Sequence, residues 1–537
     1  MSNQAVAGRQ LLSGNEAVAA GALDAGVALG AGYPGTPSTE ILETLSEIGG
    51  RAQWAPNEKV ALEVAIGVAY GNARALATMK HVGLNVAADP LFTIAYTGVT
   101  GGLVIAVADD PGMASSQNEQ DDRRYAVAAG VPMFEPCDSQ EAYDMTRAAF
   151  DLSEQWGMPV LLRVTTRICH SKTVVTRRPA APPAAAPSYE RDIQTRVMVP
   201  AYARPAHKRL RKKLAELTRW VEQCPWTREH RGGDELGIIT SGISTVHARE
   251  AAPEASVLKL GVSYPLPMGR IRAFAESVQR CVVIEEGDPY LTDAIRAAGI
   301  PVEGKPEMYR FGELDVSRVR RILAGDTSEE PTPPRGKPPE LCKGCPHRVA
   351  FEALRDQGCI VTGDIGCYTL GVLPPFEAMD TCVCMGASIG VGLGLRHVLP
   401  EEQARKVVSV IGDSTFVHSG ITGLVEMVYN PPPTGHVVVI LDNGTTAMTG
   451  LQEHPGTGRK LDHQPTHRLD FEGLARSIGI EHVRTIDPVA EGGAFETELK
   501  AALASGELRL IITRRPCLLA AGKIRQYEAA AKATCNE

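Results

Sequence analysis

Val407-Val-Ser-Val-Ile-Gly-Asp-Ser414 is a short apolar run that stops on a glycine, a carboxylate and a hydroxyl. After twenty-seven intervening residues, and at the end of a second apolar run, Val437-Val-Val-Ile-Leu441, comes Asp442-Asn-Gly-Thr445. β-Branched runs of this length bounded by turn residues predict buried parallel strands. Mg²⁺ takes about six oxygen ligands in octahedral geometry, and it is the usual partner of phosphate groups. The Asp413 carboxylate, the Asn443 amide oxygen and a Thr445 oxygen supply three ligands, leaving places for phosphate oxygens and a water. A helix opening at Gly412-Asp413-Ser414 points its amide-rich end at the same charge. Either half alone reads as an ordinary turn; both together, on adjoining strands, point to a site.

The same alternation of strand and helix extends outward along the 537 residues, a length that predicts three or four domains. Toward the amino end, Ser13-Gly-Asn-Glu16 predicts a capping box opening an Ala-rich helix. Gly30-Ala-Gly-Tyr-Pro-Gly-Thr-Pro37 predicts a turn, with Ser38 capping a helix through Ile41 and Leu45. Gly102–Ala108 and Pro159–Val164 read as buried parallel strands. Arg178–Pro187 has the composition of an extended connector, followed by a basic helix-like segment, Pro205–Leu214. Further strands are expected at Leu236–Thr240, Ser256–Leu260 and Cys281–Ile284, before a second Pro-rich break at Glu330–Pro339. Leu508–Thr513 completes the last set. The fold class is therefore α/β and multidomain, with doubly wound parallel sheets that bind ligands at the carboxyl ends of their strands.

Composition narrows the function. Lys plus Arg (55) against Asp plus Glu (63) gives a net charge of −8, which argues against nucleic acid as a partner. No window supplies the roughly 20 apolar residues of a membrane helix, and the first residues carry no export signal. The 12 cysteines are thus expected in a reducing cytoplasm, where paired spacings mean metal or redox chemistry sooner than disulfides. The basic stretch His207–Lys213 is expected to be a solvated face of the connector.

Leu341-Cys-Lys-Gly-Cys-Pro346 carries a C-x₂-C pair, and Cys367 follows Cys345 after 21 intervening residues. Cys517 ends the strand-like Ile511–Cys517. Four thiolates at Cys342, Cys345, Cys367 and Cys517 can hold a [4Fe–4S] cluster or tetrahedral zinc, or be small buried hydrophobes; spacing alone leaves all three open. His347 adds a weak zinc candidate. Cys382 and Cys384 would share one face of a strand and are expected to be buried packing. Cys137, Cys169, Cys224, Cys281, Cys359 and Cys535 carry no ligand signal.

The pairing of Gly412-Asp-Ser with Asp442-Asn-Gly resembles the thiamine-diphosphate motif. Longer runs resemble a particular family: Gly363–Gly371, Asp380–Gly390, Gly412–Gly423 and Leu441–Gly450, together with Gly32–Ser38, Asn57–Ala61 and Met79–Asn85. These are similar to the large thiamine-diphosphate subunit of indolepyruvate:ferredoxin oxidoreductase, in the 2-oxoacid:ferredoxin oxidoreductase superfamily, over about residues 10 to 525. The resemblance implies a thiamine-diphosphate-binding fold, with a pyrimidine-binding domain at 1–180 and a linker with a basic helix at 181–233. It implies a smaller transketolase-C-like α/β domain at 234–328, and a diphosphate- and Mg-binding domain bearing the iron–sulfur cysteines at 329–537. The thiamine site is expected between the first and last domains, within one chain or across a dimer.

The resemblance further implies oxidative decarboxylation of a 2-oxo acid, favouring aryl pyruvates such as indolepyruvate or phenylpyruvate. Coenzyme A is the co-substrate, and acyl-CoA and CO₂ are the products. Electrons would leave through one [4Fe–4S] cluster, on Cys342, Cys345, Cys367 and Cys517, to ferredoxin or another acceptor. Asp413, Asn443 and Thr445 match the Mg²⁺ ligands, and Gly412 and Ser414 complete the cofactor-binding turn. Glu58 matches the carboxylate that activates the aminopyrimidine ring, and Thr36 the hydroxyl near the substrate carboxylate. His418 and Gln452 lie near the metal motif and are pocket candidates. Family members usually continue into a two-cluster ferredoxin-like module, of which only Cys535 stands beyond the thiamine domain here. The implied partners are a smaller gamma-type subunit, in a hetero-oligomer with two copies of each chain, and an electron-acceptor protein. Competing readings are a non-oxidative thiamine-dependent decarboxylase or carboligase, and a non-catalytic scaffold subunit.

Overall fold

The computed structural model describes residues 8–180, 186–331 and 339–534. Parts of both Pro-rich stretches, and Cys535, lie outside the described residues. The chain divides into two compact units, residues 1–331 and 332–537.

The first unit is built on a seven-stranded sheet in the order Val262–Tyr264, Met133–Phe134, Val160–Thr165, Leu103–Asp109, Ala75–Lys80, Leu29–Gly32, Ala52–Trp54. All neighbours are parallel except Val262–Tyr264, which pairs antiparallel with Met133–Phe134. The three central strands, 75–80, 103–109 and 160–165, are buried at every position, which is why they are predominantly apolar, with Thr78, Lys80, Asp109, Arg163 and Thr165 as the exceptions. The capping box forms: Ser13 Oγ accepts from Glu16 N (3.2 Å) and Glu16 Oε2 from Ser13 N (2.6 Å), opening the helix Gly14–Asp24. Ser38 does precede the helix Thr39–Glu47, but it does not cap it. Its backbone is already helical and its hydroxyl donates to Gly35 O (2.9 Å), tightening the turn instead.

The basic segment lies in a 22-residue helix, Pro200–Val221. Leu210 and Leu217 are buried in the core of the seven-stranded sheet, while Lys208, Arg209, Arg211 and Lys212 face solvent. A four-stranded sheet follows, in the order Arg280–Ile284, Gly233–Ser241, Ala255–Leu260, Arg228–His230, with only the last strand antiparallel. Buried charges tie this layer to the larger sheet. Arg163 donates to Asp109 (2.7 Å) and Glu135 (2.5 Å), and Arg123 donates to Asp121 (2.7 Å) and across to Glu285 (2.9 Å). Each charge has a partner, as buried charges require.

The second unit carries a six-stranded, wholly parallel sheet in the order Thr381–Cys382, Ile360–Gly363, Val407–Gly412, His436–Asp442, Leu508–Arg514, His482–Ile486. The chain reverses its winding direction between Ile360–Gly363 and Val407–Gly412, the position where ligands settle in such sheets. Cys382 and Cys384 are not buried packing: both are exposed. The edge strand is only two residues long and ends at Cys382, so no alternating register carries Cys384 into the core. Among the described residues no helix is long and apolar enough to cross a membrane.

Candidate active site

At the switch point of the second unit, Gly412 ends its strand with no room for a side chain: a Cβ there would stand 2.6 Å from the Tyr368 ring. Tyr368 is itself buried and donates to Ile365 O (3.1 Å), so the ring is fixed. The next residue, Asp413, is 2 % exposed and begins the helical stretch that runs through a π-turn, Phe416–Gly420, into Ile421–Tyr429. π-Turns of this kind recur at functional sites. Asp413 Oδ1 accepts from Ser414 N (2.9 Å), and Oδ2 accepts from Gly444 N (2.8 Å) and faces His454 Nε2 (3.2 Å). Gly444 reaches Asp413 through a left-handed backbone (φ 71°), which favours glycine. Burial works to raise the Asp413 pKa, but the His454 imidazole and the two amides outweigh it and hold the group below the usual carboxylate range. The two halves of the motif therefore meet in space.

Asn443 Oδ1 accepts from Thr445 N (3.0 Å), while its Nδ2 lies 3.3 Å from His347 Nε2. The Thr445 hydroxyl donates to Gln452 O (3.1 Å), and Ser414 Oγ accepts from Thr446 Oγ1 (2.9 Å). Asp442 belongs to a different network. Its carboxylate accepts from Arg514 Nε (2.6 Å), and burial, with the Asp413 charge, pushes it up to about 6 against the pull of that arginine. Gln452 turns its side chain onto Thr449, and His418 is buried beside Ser419 (2.7 Å). One carboxylate, one amide and one hydroxyl form the hard-oxygen set that Mg²⁺ prefers.

Cys342, Cys345, Cys367 and Cys517 line a single cavity of about 80 Å³, together with His347 and Asn443. Burial pushes the Cys367 thiol up to about 11, and the other three cysteines add to the effect. Among the described residues no three His, Cys, Asp or Glu side chains converge tightly enough to hold one metal ion. Four sulfurs on one zinc would stand about 3.8 Å apart, given Zn–S bonds near 2.3 Å in a tetrahedron. Four thiols around one cavity are a donor set that either a [4Fe–4S] cluster or a tetrahedral zinc can use. Burial lowers His347 to about 4, against the pull of Asp413, so the ring is neutral near neutral pH. Cys517 is tied in by its own amide, which donates to Asn443 O (2.9 Å).

In the first unit, Thr36, Glu58, Lys80 and Asp110 follow or end strands Leu29–Gly32, Ala52–Trp54, Ala75–Lys80 and Leu103–Asp109, all at one sheet edge. Glu58 is the first residue of the helix Glu58–Tyr70, whose cap Asn57 accepts from Val60 N (3.0 Å). It is 4 % exposed and lies against Gly83, where a Cβ would stand 2.6 Å from Glu58 Oε1. Thr36 O accepts from Ser115 Oγ (3.3 Å), and Lys80 Nζ donates to Ser115 O (3.1 Å). Burial lowers the Lys80 pKa, opposed by Asp110 and Glu58. The loop Asp110–Asp122 is folded over this edge by Asp110, which accepts from Ser115 N (2.8 Å), Ser116 Oγ (2.6 Å) and Thr166 Oγ1 (2.8 Å). Lys80 lies within the Met79–Asn85 run, which assigns it no role, and His454 belongs to no motif; their burial beside Glu58 and Asp413 is what marks them.

Comparison with known proteins agrees with this layout. Residues 20–211 match the family described as pyruvate flavodoxin/ferredoxin oxidoreductase, thiamine diP-bdg, and residues 364–513 match the thiamine pyrophosphate enzyme, C-terminal TPP binding domain. The molecule is thus a thiamine-diphosphate-binding enzyme, a 2-oxoacid:ferredoxin oxidoreductase. Indolepyruvate oxidoreductase subunit IorA of Archaeoglobus fulgidus is 40% identical over 96% of this chain and 88% of its own length. The subunit of the same name from Pyrococcus abyssi is 38% identical over 95% and 86%. The chain belongs to the IorA family of indolepyruvate oxidoreductase subunits, as the motif resemblance implied. In fold it is also similar to a 2-oxoglutarate:ferredoxin oxidoreductase from Magnetococcus marinus, with a TM-score of 0.51 and 17% identity over 59% of this chain and 65% of that one.

Proposed function

We propose that this chain is the subunit that oxidatively decarboxylates a 2-oxo acid of the aryl pyruvate class, using coenzyme A, to acyl-CoA and CO₂. Two electrons and a proton are released for each acyl-CoA formed, and the electrons leave through a [4Fe–4S] cluster to ferredoxin or another acceptor protein. The observation that carries this reading is the shared wall of the cysteine cavity: Asn443, a candidate Mg²⁺ ligand, lines the same space as the four thiols. Thiamine diphosphate, when bound, supplies the carbanion chemistry of decarboxylation, and a cluster supplies single-electron transfer.

Asp413, Asn443 and Thr445 would hold Mg²⁺, with the Gly412–Ser414 turn against the diphosphate. Cys342, Cys345, Cys367 and Cys517 would hold the cluster. Glu58, buried at the first turn of its helix, would keep a proton at the pyrimidine nitrogen, and Thr36 would orient the substrate carboxylate. The relatives are named as subunits, which supports a multi-subunit enzyme. The partner in this reading is a smaller gamma-type chain, with two copies of each, in the cytoplasm.

Anaerobic purification followed by iron, sulfide, magnesium and thiamine analysis tests the reading, with acceptor-linked assays on several 2-oxo acids. About four iron and about four sulfide per chain are expected, with the highest kcat/KM on an aryl pyruvate in the presence of coenzyme A. Iron-free protein that still releases CO₂ without an acceptor would return the non-oxidative reading.

A further inference from the structure

Among the described residues, Asn443 is the candidate Mg²⁺ ligand that also lines the cysteine cavity, and the His347 side chain reaches it. An asparagine amide presents oxygen and nitrogen at nearly equal positions, so either can face a metal until a neighbour fixes the choice. Here Nδ2 lies 3.3 Å from His347 Nε2 while Oδ1 is turned toward Thr445 N (3.0 Å). An unprotonated Nε2 accepts from Nδ2, which leaves Oδ1 as the amide atom that could face a cation.

His347 is not an independent bystander. It opens the helix His347–Asp356 two residues beyond Cys345, and its ring meets the Tyr368 ring edge-on at 6.3 Å, one residue beyond Cys367. The same Tyr368 ring packs against Gly412, next to Asp413. On the opposite flank, Cys517 N donates to Asn443 O (2.9 Å). Three of the four cysteines are therefore within two residues of a group that touches Asn443 or the Gly412 turn. His347 and Asn443 are 96 positions apart in the chain, so this contact exists only in the fold.

We propose that His347 is the positioning residue that couples the two centres: filling the cysteine cavity sets the Asn443 amide for Mg²⁺, and filling the Mg²⁺ site sets the cysteine loop. The inference rests on the functional reading above. Coupling of binding sites is reciprocal, so it shows from either side.

The test uses full-length protein, reconstituted with iron and sulfide or left cluster-free, titrated with Mg²⁺ and thiamine diphosphate. Wild type is expected to bind the coenzyme about 10-fold more tightly when the cluster is present, a coupling of the usual size between linked sites. His347→Phe keeps a ring against Tyr368 but cannot accept from Asn443, and its affinity should become the same with and without the cluster. His347→Gln restores an acceptor and should recover the difference. The reduced-cluster EPR spectrum should change on adding the coenzyme in wild type and His347→Gln, but not in His347→Phe. Equal affinities in iron-loaded and iron-free wild type, or an undiminished difference in His347→Phe, overturn the coupling alone. Protein that takes up no iron overturns the functional reading together with it, and iron analysis tells the two apart.

Discussion

Nε2 of His454 lies 3.2 Å from Asp413 Oδ2, and both side chains are buried. With Gly444 N on the same oxygen and Ser414 N on the other, Asp413 is held in a single orientation before any cation arrives. His454→Ala removes one of these restraints. Its affinity for Mg²⁺–thiamine diphosphate should fall by about 10- to 100-fold, the usual cost of losing a group that orients a metal ligand. Calorimetric titration checks this, and an unchanged Kd would free Asp413 from any dependence on the imidazole.

Gly412→Ala places a methyl 2.6 Å from the buried Tyr368 ring. Overpacking of this kind costs about 1–3 kcal/mol. Urea unfolding of the single variant should show that loss, and adding Tyr368→Leu should recover part of it by making room. If Gly412→Ala unfolds at the wild-type midpoint, the ring yields more readily than its burial indicates.

Glu58→Gln retains the size and burial of the side chain but removes the charge. Turnover should drop by about 10²- to 10⁴-fold, the usual contribution of a positioned proton-transfer group. Coenzyme affinity should stay near the wild-type value, because the diphosphate is held by other residues. Steady-state rates and a binding titration on the same preparation separate the two effects, and a wild-type rate would favour the scaffold reading.

Burial raises Glu286 to about 7, with Arg163 pulling the other way. A carboxyl whose pKa is raised on folding binds more protons folded than unfolded between its ordinary value and about 7. Its contribution to stability is therefore greatest at low pH, and is lost as pH climbs through that window. Glu286→Gln removes the ionisation and keeps an acceptor for Leu314 N (3.2 Å in the native chain). The Tm of the variant relative to wild type should rise from pH 5 to pH 8. A constant difference would mean that Glu286 ionises freely in the folded protein.

Much of this arrangement was legible before the fold was known, because strands buried on both sides have to be apolar throughout. Leu103–Asp109, Val407–Gly412 and His436–Asp442 appear where their runs lie. The Gly412 and Asn443 turns were legible for a chemical reason, since few residue types can bring oxygen ligands to a strand end. What escaped were pairs made by polar residues far apart in sequence. Arg123 meets Glu285 across 162 positions, and His347 meets Asn443 across 96. Neither leaves a periodic trace. Cys382 and Cys384 misled because alternation has meaning only while a strand lasts, and theirs stops after two residues.

Val262–Tyr264 borders a sheet whose other strands all come from residues before 166. A protease nick in the exposed stretch Arg228–Asp234 would accordingly leave two fragments that stay together until denatured. Swapping the smaller layer into a relative would mean transplanting Met133–Phe134 and Arg123 as well, since a donor without them would arrive with an open edge and an unanswered Glu285.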